Sequence, residues 1–536
     1  MNRSALRTAV PAVVCVALVA AACGRDPLPP ADADSIVIEA SSASENDGAA
    51  APTPTEPPRT LELDGASADI ALDASATGIA IDPRVFGTNV PAWVRPGKLI
   101  DPAFQREAIA SGTTLIRMPG GSWSNSYSWS GCEWGDPDDC FWPWAATPSD
   151  FAQFMLDTEI PGIWTVSINE TAQSAAALVS FFNGDVEDET EIGIDRDGRD
   201  WGTVGNWAEL RAAKGLADPV RIDLWEVGNE VYGGRPDAGG SECPSFGWED
   251  VWTCDGAEYV VGDDDNDGFL AIREAMLGVD PTIQVGAVGV GEPDEWGNWG
   301  NEVIFSAGEE LDFYIVHDYG FDESPAPETA VGRAEEMWPT IIDEVRAVLP
   351  ADVPIAITEY NLISFIDGDT ERSMTSAANA LFIADTLGQM VTREIPIANH
   401  WNLANGAADT GADYGLISLE TNERLPTFSA FAHWTATGDE LHPVDDAGEL
   451  AVYPTLRDDG TWSVIVLNPT DAPVARSFSV DGAPSVSVSV ETSSAPTLDA
   501  QEMTESSTEA TDLDSDSFEL TFTPYSINRV EVAAGG

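Results

Sequence analysis

Between Arg84 and Trp434 short apolar runs alternate with longer stretches in which apolar residues recur every three or four positions. The runs Val85–Val90, Thr114–Met118, Ile163–Ile168, Ile222–Gly228, Ile283–Val288, Asp312–His317, Pro354–Glu359 and Pro396–Trp401 read as strands buried on both faces. Helical patterns lie between them at Ala172–Phe182, Gly268–Gly278, Val331–Val348 and Ser373–Arg393. The first of these ends at an Asn183-Gly184 stop. Eight strands alternating with helices predict an α/β fold, a (β/α)8 TIM barrel, over residues 84–435. On this count Glu230 ends the fourth strand and Glu359 the seventh.

The texture changes after residue 435. Leu450–Leu456, Trp462–Leu467, Ser477–Val480, Ser485–Val490, Phe518–Phe522 and Ile527–Val532 are short β-rich runs with turn residues between them. They predict a C-terminal antiparallel β-sandwich over 436–536, which strands within 61–83 join from the N-terminal side. The acidic stretch 498–517 reads as a mobile loop.

The first 22 residues carry Arg3 and Arg7, then an apolar run from Ala9 to Ala22 that is short for a membrane span. Small residues precede Cys23, and the segment resembles a bacterial lipoprotein signal with Cys23 as the lipid-bearing residue. Ordinary secretion is the alternative. Residues 23–60 are rich in Pro, Ala, Ser, Thr and acids and read as a disordered tether. The expected location is therefore outside the cytoplasm, as a cell-surface or periplasmic lipoprotein or a secreted protein. Four further cysteines, Cys132, Cys140, Cys243 and Cys254, suit disulfides in an exported chain. Of the three pairings possible, the local ones, Cys132–Cys140 and Cys243–Cys254, are preferred. A zinc site would use paired short spacings that these lack.

Charge narrows the partners. With 92 acidic residues against 24 Lys plus Arg, the net charge is −68. Phosphate backbones are bound by basic side chains, so nucleic acid is excluded as a partner. Any membrane contact is expected only through the lipid anchor.

Two apolar runs end in a carboxylate: Leu224-Trp225-Glu226-Val227-Gly228-Asn229-Glu230 and Ile355-Ala356-Ile357-Thr358-Glu359-Tyr360-Asn361. Residues at the C-terminal ends of barrel strands read as catalytic, and cleaving a glycosidic bond takes two carboxylates. Around them stand Leu115-Ile116-Arg117-Met118-Pro119-Gly120-Gly121-Ser122-Trp123 and Phe313-Tyr314-Ile315-Val316-His317-Asp318-Tyr319. In this order the four segments resemble those of glycoside hydrolase clan A, and of the α-L-arabinofuranosidases of family 51 in particular. The resemblance spans roughly residues 61–536. It implies a retaining double displacement on a polysaccharide or oligosaccharide, with Glu230 as acid/base and Glu359 as nucleophile. It further implies that Arg117 and Tyr319 hold Glu359, that Asn229 binds the hydroxyl beside the anomeric carbon, and that His317 lines the pocket. Two positions depart from the family's pattern. Asn89 is the polar group where a glutamate is usual in the first-strand loop, and Ser122 stands where an asparagine usually follows the Gly-Gly pair.

Flat aromatic faces suit sugar rings, and Trp123 and Trp401 are the expected contacts. Catalysis needs no cofactor on this reading. A structural calcium is a further candidate, because Asp263, Asp265, Asp267, the Phe269 carbonyl and Glu274 match the spacing of a calcium loop. The alternative is an acidic loop favouring the N-terminus of the following helix. Functional alternatives are a clan A endo- or exo-β-glycanase and, in another class, a non-catalytic carbohydrate-binding lipoprotein.

Overall fold

A computed structural model describes residues 60–62, 69–135, 140, 142–235, 243, 247–444 and 447–535. The segment 1–22, Cys23 and all but the last residue of the 23–60 stretch lie outside the described residues. Eight parallel strands close into a barrel: β1 Gly87–Asn89, β2 Leu115–Met118, β3 Gly162–Val166, β4 Leu224–Val227, β5 Gln284–Val288, β6 Phe313–Phe321, β7 Ile355–Ile363 and β8 Ile397–His400. β8 pairs with β1 to complete the ring.

Side chains alternate across a strand, so every second residue points into the barrel. Leu115, Ile163, Leu224, Phe313, Ile315, Ala356 and Ile397 form one buried cluster there. Two residues further along the same face come Arg117 from Leu115, Glu226 from Leu224, His317 from Ile315, Thr358 from Ala356 and Asn399 from Ile397. The apolar plug is thus a floor, and the polar residues one step towards the C-terminal ends rest on it.

The helices follow local signals. Thr147 caps Pro148–Thr158 through a capping box with Asp150, and Pro148 sits at the first helical position, where its missing N–H is harmless. Three expectations needed adjusting. Residues 83–86 form a 3-10 turn, so β1 is shorter than Val85–Val90. β6 and β7 extend past their expected ends, which places Glu359 within a strand, at an irregularity in its pairing with β6. Glu230 lies three residues beyond β4. Among the described residues, no helix is long and apolar enough to cross a membrane.

The C-terminal part has two sheets. The larger is built on Ala451–Leu456, Trp462–Asn468, Ser526–Ala534 and Val486–Ser494, all antiparallel, with Ile79–Ala80 reaching it through Glu440–Leu441. The smaller joins Thr60–Glu62, Ser517–Phe522, Val474–Val480 and Ile70–Leu72. Trp462, Val464, Phe478, Phe518, Phe522 and Val530 belong to the core between them. The stretch 498–517 is not one loop: Thr504–Ser507 and Thr511–Leu513 pair with Val486–Ser494. Their side chains are mostly exposed, as on an edge, so polar composition had hidden the strands.

Barrel and sandwich meet at Tyr453, whose ring lies 5.4 Å from that of Trp434. Its hydroxyl donates to Asp385 on the helix Ala377–Thr392 and accepts from Gln389. Burial raises the Asp385 carboxyl to about 6. A carboxyl raised by folding gives its full stability below the unfolded value, near 4, and loses it as pH climbs through the folded one. Asp385→Asn keeps an acceptor for Tyr453 without that charge. The variant should therefore gain on wild type, by up to about 3 kcal/mol, between roughly pH 4 and 6. Urea unfolding of both at pH 4 and pH 7 measures the difference.

Candidate active site

Arg117 on β2 is fully buried and donates in four directions. Nε reaches Glu226 Oε2 at 2.5 Å, Nη1 reaches Asn89 Oδ1 at 3.0 Å and Glu359 Oε1 at 2.7 Å, and Nη2 reaches Asn229 Oδ1 at 2.9 Å. Burial opposes its charge, but Glu226 and Glu359 outweigh burial and raise its pKa, so the guanidinium stays charged. Glu226 accepts in addition from the Thr165 hydroxyl at 2.9 Å.

Glu359 receives Arg117 on one oxygen and the Tyr319 hydroxyl on the other, at 2.9 Å. Glu230 lies opposite, in the left-handed region at φ 43° that favours glycine. Its Oε2 accepts from the Trp248 indole at 2.7 Å, and its Oε1 is 3.0 Å from His317 Nδ1. His317 Nε2 is 3.0 Å from the Thr358 hydroxyl, and Nδ1 is also 3.8 Å from Glu359. Ligand atoms of Glu230, His317 and Glu359 lie within 4.8 Å of one another.

The carboxyls of Glu230 and Glu359 lie close enough to influence each other's titration. Burial opposes both carboxylate charges. For Glu230 the His317 contact, Trp248 and Arg117 outweigh it and hold the carboxyl below the ordinary range. For Glu359 burial prevails over His317 and Arg117, with the charge of Glu230 adding to it. His317 Nδ1 and Glu230 Oε1 are the two ends of one hydrogen bond, while Glu359 faces two donors, Arg117 and Tyr319.

The remaining expected residues are placed differently. Asn89 is fully buried and is spent on Arg117 and on the carbonyls of Thr358, Asn399 and His400, so it offers nothing to a sugar. Arg117 likewise acts from beneath. Trp401 is 1% exposed, behind the positive-φ glycine Gly121, where a Cβ would come within 2.5 Å of its ring. It is packing, not an open face. Trp123 is half-buried and stacks on Trp142 with centroids 4.1 Å apart. Ser122 donates to Glu249 at 2.6 Å.

Sequence reasoning missed Glu249, Trp248, Asn125 and the anchoring role of Glu226. Glu226 was legible from its inward parity on β4. Asn125 lies in the short 3-10 turn Ser122–Ser126, and Trp248 and Glu249 in a loop, where no periodicity marks them.

The disulfides Cys132–Cys140 and Cys243–Cys254 are formed, with Cα atoms 4.6 and 5.6 Å apart. In the acidic loop, Asp263 accepts from the backbone of Asp265 and Asn266, and Asp267 pairs with Arg196 and accepts from the Ala172 amide. Phe269 starts a helix and Glu274 is exposed. Among the described residues, the convergent His and carboxylate group that could hold a metal is Glu230, His317 and Glu359.

No family model matches the chain. It is 27% identical over 277 residues to an intracellular exo-α-(1→5)-L-arabinofuranosidase of Bifidobacterium longum, a match covering 48% of this chain and 43% of that protein. The fold is similar to that of a Thermotoga petrophila α-L-arabinofuranosidase of glycoside hydrolase family 51, with TM-score 0.67 and 19% identity over 87% of this chain and all of that one. A family 44 endoglucanase from Clostridium thermocellum gives TM-score 0.56 and 15% identity over 87% of this chain and 99% of that one. The architecture is a (β/α)8 barrel with a C-terminal β-domain, similar to that of these glycoside hydrolases. Within it the chain resembles the family 51 arabinofuranosidases.

Arg117→Ala would strand Glu226 and Glu359 as buried, unpaired carboxylates. It is expected to destabilise the fold by about 3–5 kcal/mol, read by chemical denaturation against wild type.

Proposed function

We propose that the chain is a retaining glycoside hydrolase of α-L-arabinofuranosidase type. The observation that carries the reading is the approach of Glu230 and Glu359, with carboxylate oxygens within 4.8 Å. Retaining enzymes hold their carboxyls ~5–5.5 Å apart, while inverting ones leave ~6.5–9.5 Å for a water. In the first step a Glu359 oxygen bonds to the anomeric carbon and the glycosidic bond breaks. The leaving oxygen takes that electron pair and the proton delivered by Glu230. In the second step Glu230 takes a proton from water, whose oxygen bonds to the anomeric carbon, and Glu359 leaves as a carboxylate. The net change is hydrolysis, and both residues are restored.

The surrounding contacts suit these roles. Arg117 and Tyr319 satisfy Glu359 as a carboxylate and hold it in line. His317 and Trp248 orient Glu230. Asn229 stands between them, ready to bind the hydroxyl next to the anomeric carbon. A clan A β-glycanase is the second reading. It draws support from the family 44 likeness and from Asn89, which is turned away from any sugar. We propose as well that the chain is exported, with Cys23 as a lipid site. Cys23→Ser should then move the protein from the membrane fraction to the soluble one.

Nitrophenyl glycosides of arabinofuranose, glucose and xylose test the reading on purified protein. Hydrolysis of the arabinofuranoside is expected, and hydrolysis of the β-pyranosides alone would favour the second reading. Glu359→Gln should be nearly inactive and Glu230→Gln slower by about 10²–10⁴-fold, with melting temperatures close to wild type. In Glu230→Ala, azide should restore turnover of substrates with good leaving groups. Wild-type rates in Glu359→Gln would overturn the assignment.

A further inference from the structure

Beyond β4 the chain returns to the site at residues 247–249, and this short stretch touches both halves of the Asn229–Glu230 pair. The Trp248 indole N–H ends on Glu230 Oε2 at 2.7 Å. Glu249 is completely buried. Its Oε1 accepts from the Ser122 hydroxyl at 2.6 Å and from Asn229 Nδ2 at 3.0 Å, and its Oε2 accepts from Asn125 Nδ2 at 2.7 Å.

Asn229 is thereby gripped at both ends of its amide. Its Oδ1 takes the Arg117 guanidinium and its Nδ2 gives one hydrogen to Glu249. Turning the amide over would aim its N–H at the Arg117 cation. One orientation is enforced, and the second Nδ2 hydrogen has one direction left. Asn125 secures the backbone as well, donating to the Asn229 carbonyl at 2.7 Å and accepting from its N–H at 3.1 Å.

The stretch that brings these groups in is tightly seated. The amides of Trp248 and Glu249 both donate to the Gly233 carbonyl, at 2.7 and 2.9 Å, and the Glu249 carbonyl accepts from the Arg235 amide at 3.0 Å. Gly247 lies so close that a Cβ there would stand 2.0 Å from the Gly233 oxygen. The Cys243–Cys254 disulfide brackets it.

Resting on the proposed hydrolase reading, we infer that Trp248 and Glu249 are positioning residues: Trp248 aims the proton donor Glu230, and Glu249 locks the amide of Asn229 that meets the sugar hydroxyl. The two act on different terms of the reaction. Trp248 acts on proton delivery to the leaving oxygen, and Glu249 on the hydroxyl contact, which strengthens as the transition state forms. Glu249 also couples to the donor by charge. Burial raises its carboxyl to about 8, and Glu230 adds to that. The charge on Glu230 thus helps Glu249 keep its proton, while His317, Glu359 and Arg117 face Glu230 from the other sides.

The test uses Trp248→Phe, Glu249→Gln and Asn229→Ala in the full chain, on aryl glycosides of graded leaving-group acidity. Trp248→Phe should lose roughly ten- to a hundredfold in kcat on poor leaving groups and little on the best ones. Glu249→Gln should lose kcat by a similar factor on all of them, with KM little changed, and should lose nothing further when Asn229 is already alanine. A Trp248→Phe loss independent of the leaving group, or losses at Glu249 and Asn229 that multiply, would overturn the inference. A readout free of turnover separates it from the hydrolase reading. The Glu249 carboxyl, followed by 13C NMR and assigned with Glu249→Gln, should titrate at lower pH in Glu230→Gln than in wild type. An unmoved titration refutes the coupling even if no glycoside is cleaved, and a moved one upholds it.

Discussion

One buried guanidinium organises the barrel mouth. Arg117 carries a charge that water never reaches, so its stability depends on partners of the right sign at the right distance. It finds them on β1, β4 and β7 and just beyond β4. Those strands must hold their relative register, because a slip of one residue would turn Asn89, Glu226 or Glu359 out of the barrel. A planar fork serves four directions at once, which a lysine ammonium would not do in the same geometry. The two carboxylates on Arg117 are not equivalent. Glu226 is sealed in by Thr165 and anchors the cation, while Glu359 meets the pocket with its other oxygen.

The barrel was legible because parallel strands are covered on both faces and read as continuous apolar runs. What composition could not give was how far a strand continues. β6 and β7 run on through Asp318–Phe321 and Tyr360–Ile363, where polar residues interrupt the apolar run. Thr504–Ser507 was missed for a related reason: an exposed edge strand has no apolar face to announce it. The tryptophans misled in the opposite sense. A tryptophan after a barrel strand looks the same in sequence whether its ring is open or shut, and Trp401 is shut in beside Gly121. Parity along β2 and β4 would have paired Arg117 with Glu226. Nothing local could have joined Glu249 to Asn229, because their contact follows from how the chain returns between them.

The site therefore draws on two kinds of support. Strand-borne groups, Arg117, Glu226, His317, Thr358 and Glu359, rest on the apolar floor and are placed by barrel geometry. Groups beyond the strands, Asn229, Glu230, Trp248 and Glu249, are placed by backbone hydrogen bonds around Gly233 and by a disulfide. Glu230 sits in a strained backbone conformation, and such strain persists only where the surroundings over-determine it. The contacts of Trp248, His317 and the Gly233 amide, which donates to the Glu230 carbonyl at 2.7 Å, supply that determination.

Charge balance explains why the first strand offers an amide. Arg117 already faces two carboxylates, and a third at position 89 would bring another anion to the same cation with no second cation among its described contacts. Asn89 instead gives Arg117 a neutral acceptor and uses its N–H groups on barrel carbonyls. The additional acid of the site, Glu249, stands one amide removed, beyond Asn229, where Ser122 and Asn125 solvate it. Asn229 is the spacer between Glu249 and the guanidinium and binds both. With its oxygen on the cation and its N–H on the Glu249 carboxyl, its amide is polarised along one axis, so the hydrogen left for a ligand is the better donor for it.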